Sequence, residues 1–263
     1  MRSSLIFSAI VLTLLVRISP AHAQASTEDM NKSNNPLTPM AGLNLQDYII
    51  SSLYDSNESA NSFLVRGTLP MMLGGYPQLA RLTIPYNTNP SPTGEHVSGF
   101  GDLNFFDIFL MGSPELQLGI GPYFILPTAS KDETGAGKWQ LGAAATIIAP
   151  ATWGLLGGLF TYQHDIGGES DRPTQNIFTV QPFLIYNLPH AFYLRSVGIW
   201  NFNWETGDYY IPVGFGLGKV WKLESGIVMN LYAEPQWTVA HKGPLQPEFQ
   251  TLVGLNFQFP LGQ

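Results

Sequence analysis

The sequence predicts an all-β fold, a transmembrane up-and-down antiparallel β-barrel of about 12 strands, and three observations carry that expectation. An export signal opens the chain, apolar and polar residues alternate in segments of about ten, and the links between segments alternate between long polar loops and tight turns.

The export signal comes first. Arg2 precedes an apolar run over 5–16, and Pro20-Ala21-His22-Ala23 places small residues at minus three and minus one, so cleavage is expected after Ala23. Residues 1–23 are therefore read as a signal peptide. That run is shorter than the roughly 20 residues a helix needs to span a bilayer, and no later apolar stretch reaches even 18, which excludes a helical membrane protein. With no cysteine, neither lipid attachment at a thiol nor a disulfide is available. Stability must come from packing or from the bilayer.

The next stretch, 24–42, is polar and carries Asn34-Asn35-Pro36 and Pro39, and is read as a disordered periplasmic lead-in. The remainder, 43–263, contains no internal linker and reads as one β domain. Its composition suits a barrel: charged residues are 12% of the chain against a soluble norm of about 25%, aromatics are 13%, and mean hydropathy is near zero at +0.05. Apolar residues spread over every second position give that balance.

Alternation is clearest toward the C-terminus. Met229, Leu231, Ala233, Trp237 and Val239 oppose Asn230, Glu234, Gln236 and Thr238, and Val253, Leu255, Phe257 and Phe259 oppose Gln250, Gly254, Asn256 and Gln258. Phe178, Val180, Leu184 and Tyr186 oppose Thr179 and Gln181 in the same way, as do Leu118, Ile120 and Phe124 against Gln117, Gly119 and Gly121. A soluble sandwich has the same period, so the links decide. Long polar links run over 55–62, 87–98, 127–137, 165–176 and 240–248, with a shorter one at 205–208; between them fall tight turns at 112–115, 150–152, 187–190 and 221–225. A further inner link, 70–78, is longer than the rule predicts. Six outer and five inner links make twelve strands with both termini in the periplasm.

Tryptophans fit two aromatic girdles, Trp139, Trp204 and Trp237 near outer strand ends and Trp153 and Trp221 near inner ones. The outer links carry eleven acids against three bases, a rim near minus eight that disfavours anionic cargo and suits cations bridging lipopolysaccharide phosphates. No basic patch exists for nucleic acid.

Taking the polar parity as inward, the lumen is expected to be lined by Arg66, Thr68, Asn104, Gln140, Gln181, Arg195, Asn201, Asn203, Asn230, Glu234, Gln236, Gln250 and Asn256. A buried charge needs a partner, so Glu234 should face Arg195 or Arg66. Gly214, Gly216 and Gly218 share one strand face, where missing side chains would widen the bore or allow curvature. Twelve-stranded outer-membrane phospholipases place a serine two residues after a histidine; here His164 is followed by Asp165 and Ile166, so no catalytic residue is assigned. His96, His190 and His241 fall on separate links without metal-ligand spacing, and neither a metal nor a cofactor is expected.

Several segments carry a family resemblance: Ser98-Gly99-Phe100-Gly101-Asp102-Leu103, Gly137-Lys138-Trp139-Gln140-Leu141-Gly142, His164-Asp165-Ile166-Gly167-Gly168, Gln181-Pro182-Phe183-Leu184-Ile185-Tyr186-Asn187-Leu188-Pro189 and Pro212-Val213-Gly214-Phe215-Gly216-Leu217-Gly218-Lys219. Together they resemble the family labelled meta-pathway of phenol degradation, many of whose members are labelled only as transporters or as neuromedin U. The resemblance implies an outer-membrane barrel of a Gram-negative bacterium, in some cases associated with aromatic-compound catabolism, and brings no catalytic residues. The chain ends in Pro260-Leu261-Gly262-Gln263, so Phe259 would serve as the aromatic that barrel-assembly machinery reads in the last strand. The leading expectation is a passive channel for small neutral or aromatic, apolar solutes. The alternatives are a structural or surface-interaction barrel with a plugged lumen and, third, an outer-membrane lipid hydrolase.

Overall fold

A computed structural model describes residues 25–91 and 94–260; the expected signal peptide lies outside them. Among the described residues fifteen strand segments follow one α-helix: α1 (Thr27–Asn34), then β1 (Ala41–Leu53), β2 (Ala60–Leu73), β3 (Tyr76–Pro90), β4 (His96–Phe100), β5 (Leu103–Gly112), β6 (Gln117–Leu126), β7 (Lys138–Ala151) and β8 (Gly154–Gly168). The rest are β9 (Asn176–Asn187), β10 (Phe192–Ser196), β11 (Trp200–Asn203), β12 (Tyr209–Gly214), β13 (Gly216–Lys222), β14 (Val228–Lys242) and β15 (Pro247–Phe259). They make twelve barrel strands, because β4 and β5 both pair with β3, β10 and β11 both with β9, and β12 and β13 both with β14. The barrel closes where β15 pairs with β1 from Ala41 opposite Phe259 to Leu53 opposite Pro247. Closure removes the sheet edge, so no row of unpaired backbone groups is left for lipid to meet.

The period-2 pattern separates two environments. On β3 the outward Leu82, Ile84 and Tyr86 are exposed, while Thr83 between them is buried. On β14 Trp237 and Val239 are exposed, and Asn230, Glu234 and Gln236 are fully buried toward the axis. Two of the three interrupted strands have local causes. Val197 leaves the ladder between β10 and β11 because its N–H donates to the Glu234 carboxylate instead, and Gly101, between β4 and β5, donates to the Pro85 carbonyl.

Two expectations need correction. The inner link read as 70–78 is a two-residue turn at Gly74-Gly75, with φ of +59° and +84° and Leu73 paired to Tyr76. Glycine adopts both positive angles without the Cβ penalty of other residues, and such paired positive-φ turns match strand twist. Pro70 and Pro77 are both accommodated within β2 and β3, toward the tip of the hairpin. The second correction concerns the lead-in read as disordered. Residues 27–34 form a helix with a capping box, Ser26 Oγ accepting from Asp29 N at 3.1 Å and Asp29 Oδ2 accepting from Ser26 N at 3.0 Å. Eight residues are too few to stay helical alone in water. What holds α1 is the barrel: Met30 and the following Leu37 join one buried cluster with the inward-facing Ile108, Ile148, Leu155, Ile185 and Val220.

Candidate functional site

The lumen has two halves. At the end carrying the tight turns, α1 fills the mouth. Asn31 Nδ2 donates to the Ala151 carbonyl at 2.8 Å, Asn187 Nδ2 to Asn31 Oδ1 at 2.8 Å, Asn35 Nδ2 to Gln117 Oε1 at 2.8 Å, and Gln258 Nε2 to the Lys32 carbonyl at 2.8 Å. Asn230, wholly buried, donates to Ser33 and Asn34. The residues that made this segment look disordered are thus the ones that match it to a polar wall. Lys222 Nζ lies 3.0 Å from Asp29 Oδ1. Burial alone would raise the Asp29 carboxyl, but the Ser26 N–H, the Lys222 ammonium and the Ser26 hydroxyl outweigh it and hold it below its ordinary 3.8. A depressed folded value means that Asp29 contributes to docking above 3.8 and loses that contribution as pH falls through the folded value. Asp29→Asn is therefore expected to expose residues 25–40 to protease at neutral pH, and the wild-type segment to gain the same sensitivity only in acid; equal protection of both proteins would sink the assignment.

Beyond α1 lies a cavity of 110 Å³, lined by Asn34, Gln46, Arg66, Arg81, Arg195 and Tyr232 among others. Its opposite wall carries the one buried ion pair among the described residues. Arg195 Nε meets Glu234 Oε2 at 2.7 Å, and Glu234 Oε1 also accepts from Val197 N at 2.9 Å and Gln236 Nε2 at 3.0 Å. Gln250 Nε2 in turn donates to Gln236 Oε1 at 2.6 Å. Of the two expected partners of Glu234, the structure selects Arg195. The Arg195 guanidinium also sits 3.5 Å from the centre of the Tyr232 ring, a cation–π contact. Across the cavity, Arg66 Nη1 donates to Gln46 Oε1, and Gln46 Nε2 to the Tyr232 hydroxyl, both at 2.5 Å. One chain of contacts therefore runs from Arg66 to Glu234.

The glycine stripe is a seat for this network and not an empty groove. A Cβ on Gly214 would come 2.2 Å from Glu234 Oε1, one on Gly216 2.8 Å from Arg195 Cγ, and one on Gly218 2.2 Å from the Tyr193 ring. The missing side chains are replaced by those of the neighbouring strands, so the stripe does not widen the bore. Gly254 seats Tyr232 in the same way, at 2.1 Å.

Of the residues expected in the lumen, Gln140, Arg195, Asn230, Glu234, Gln236 and Gln250 are buried. Arg66, Thr68, Gln181 and Asn256 line the cavity. Asn104 lies opposite Thr83, and Asn201 opposite Thr179 and Tyr210, away from that cavity and partly exposed. Arg81, Gln46, Tyr193 and Tyr232 were missed. Arg81 alternates with Leu82 and Ile84 in the strand left between the links at 70–78 and 87–98, and is legible there by parity. The aromatics were missed because polar was equated with inward. Trp139, Trp153, Trp204 and Trp237 are exposed, and Trp221 is partly buried with Lys219 Nζ 5.6 Å from its ring. Trp204 packs on Tyr162 and Phe178, Trp153 on Tyr186 and Trp237 on Phe249. His164 Nδ1 lies 2.6 Å from the Asp165 backbone oxygen, and no serine is bonded to it among the described residues.

A closed twelve-stranded barrel with a filled mouth and a polar cavity has the fold of outer-membrane channels. Two solved structures share it. The NanC porin is 8% identical with a TM-score of 0.54, over 84% of this chain and 100% of that one. An outer membrane channel from Pseudomonas putida F1 is 13% identical with a TM-score of 0.59, over 92% of this chain and 100% of that one. No protein-family model matches the chain, and no curated protein matches it.

Proposed function

We propose that this chain is a passive outer-membrane channel for small organic solutes, closed at rest on its periplasmic side by α1. The observation that supports it most is the cavity at mid-lumen, walled by both polar groups and the apolar Phe183, Ile185 and Val197, inside a barrel of channel fold. Solutes with an aromatic or apolar body fit such a wall. The expected signal peptide, the exposed tryptophans and a last strand ending at Phe259 support export, seating in outer-membrane lipid with lipopolysaccharide, and insertion by barrel-assembly machinery. His164 faces its own neighbour's backbone, and this favours transport over lipid hydrolysis. The second reading, a structural barrel with a permanently plugged lumen, draws on the hydrogen bonds that tie α1 to the wall. Solute flux separates the two: vesicles carrying the refolded protein should release entrapped benzamide faster than protein-free vesicles, and identical release would leave the structural barrel standing.

A further inference from the structure

Two arginines in the cavity have no carboxylate. Arg66 and Arg81 are diagonal neighbours on the inner face of β2 and β3, Arg66 opposite Thr83 and Arg81 opposite Thr68. No Asp or Glu lies within ion-pair distance of either among the described residues. Among the described residues the Arg66 side chain bonds only Gln46, and its Nε is buried without a partner. The Arg81 side chain makes no hydrogen bond among the described residues; its guanidinium lies 4.1 Å from the Phe106 ring centre, and its Nε too is buried and unpartnered. The buried acid of the lumen, Glu234, is committed to Arg195, Val197 and Gln236. Two like charges on diagonal positions repel, and each buried donor left without a partner keeps its full desolvation cost. An anion between the two guanidinium groups removes both penalties, since each presents a planar fork matched to two oxygens.

We propose that the cavity is a binding site for a small organic monoanion, a carboxylate held between Arg66 and Arg81 with its apolar body against Phe183, Ile185 and Val197. The wall accounts for the body, and 110 Å³ limits it to a short aliphatic chain, since benzene already takes a cavity of about 150 Å³. The acidic rim accounts for the single charge, because a dianion would meet twice the repulsion on entry. Asn256 Oδ1 and Gln258 Oε1, unpartnered acceptors lining the same cavity, suit a hydroxyl or water at the ligand's far end. The neutral cargo expected from the sequence thus gains a charge: the rim repels anions at a distance while the lumen recognises them at contact. This deepens the channel reading and rests on it.

Calorimetric titration of the full-length refolded barrel with propionate tests it, with propionamide as the neutral isostere and inorganic phosphate as the alternative anion. Propionate is expected to bind saturably, propionamide and phosphate at least tenfold more weakly, and propionate affinity to fall at least tenfold in Arg66→Gln and in Arg81→Gln. Losing either cation relieves repulsion, so without propionate both variants should unfold at a urea concentration no lower than wild type. Equal binding of propionate and propionamide, tighter binding of phosphate, or unchanged affinity in both variants overturns the site. Vesicle flux separates this from failure of the channel: propionate that binds but does not cross overturns the channel and leaves the site, whereas propionate that crosses without saturable binding does the reverse.

Discussion

Glu234→Leu is expected to lower the stability of the folded barrel by about 3–5 kcal/mol, the cost of leaving one member of a buried ion pair uncompensated. Glu234 is fully buried and accepts three hydrogen bonds, from the Arg195 guanidinium, the Val197 backbone and the Gln236 amide. Removing the carboxylate strands a guanidinium that is itself only 7% exposed, and frees a backbone N–H where β10 has already left the ladder. The pair's own net contribution is a separate matter, since desolvation of both charges offsets most of their attraction. Glu234→Leu combined with Arg195→Met should therefore recover much of the loss. Urea unfolding of the barrel in lipid vesicles measures both, and a midpoint unmoved by Glu234→Leu would mean that Arg195 is solvated in the folded protein. Most of the recovery should be missing if the leucine is introduced alone with Arg195→Lys, which keeps a cation there.

Deleting residues 25–40 is expected to convert a mostly closed barrel into one with discrete open conductance levels in planar bilayers. The reason is what the segment fills. Met30 and Leu37 occupy the inner half of the lumen against Ile148, Leu155 and Ile185, and Asn35 and Pro36 floor the cavity. Its polar contacts, at Gln117, Asn187, Asn230 and Gln258, are hydrogen bonds that water replaces at little net cost, so the barrel wall should persist. Heat-modifiable migration in detergent checks that it does. A truncated barrel that folds and stays silent would mean that Arg195, Tyr193 and Tyr232 occlude the bore unaided, and the structural reading would then prevail.

Both effects concern features that differ in how far the sequence reveals them. The Glu234 partnership was half legible: period-2 alternation on β14 placed the acid inward, and a buried charge requires an opposite one. Choosing Arg195 over Arg66 took the geometry of strands distant in the chain. The helix was not legible, because its asparagines and serines are the signature of disorder unless a polar wall stands opposite each of them, as Ala151, Gln117 and Asn187 do. The glycine stripe showed its face but not its use, since the side chains that fill it come from β10 and β14.

What the sequence determined by itself is the envelope. Strand number, loop alternation and the lipid face follow from local period and link length, because every strand meets lipid on one side whatever its neighbours are. Only the tertiary structure decided the interior. The rule that polar residues point inward holds at Glu234, Gln236 and Gln250, beyond α1. It fails at Phe106, Ile108, Ile148 and Leu155, which point inward because α1 turns the inner half into an ordinary protein core. Whether an inward position is wet, packed or charged depends on what stands across the barrel, and residues on opposite walls are related by closure and not by spacing along the chain.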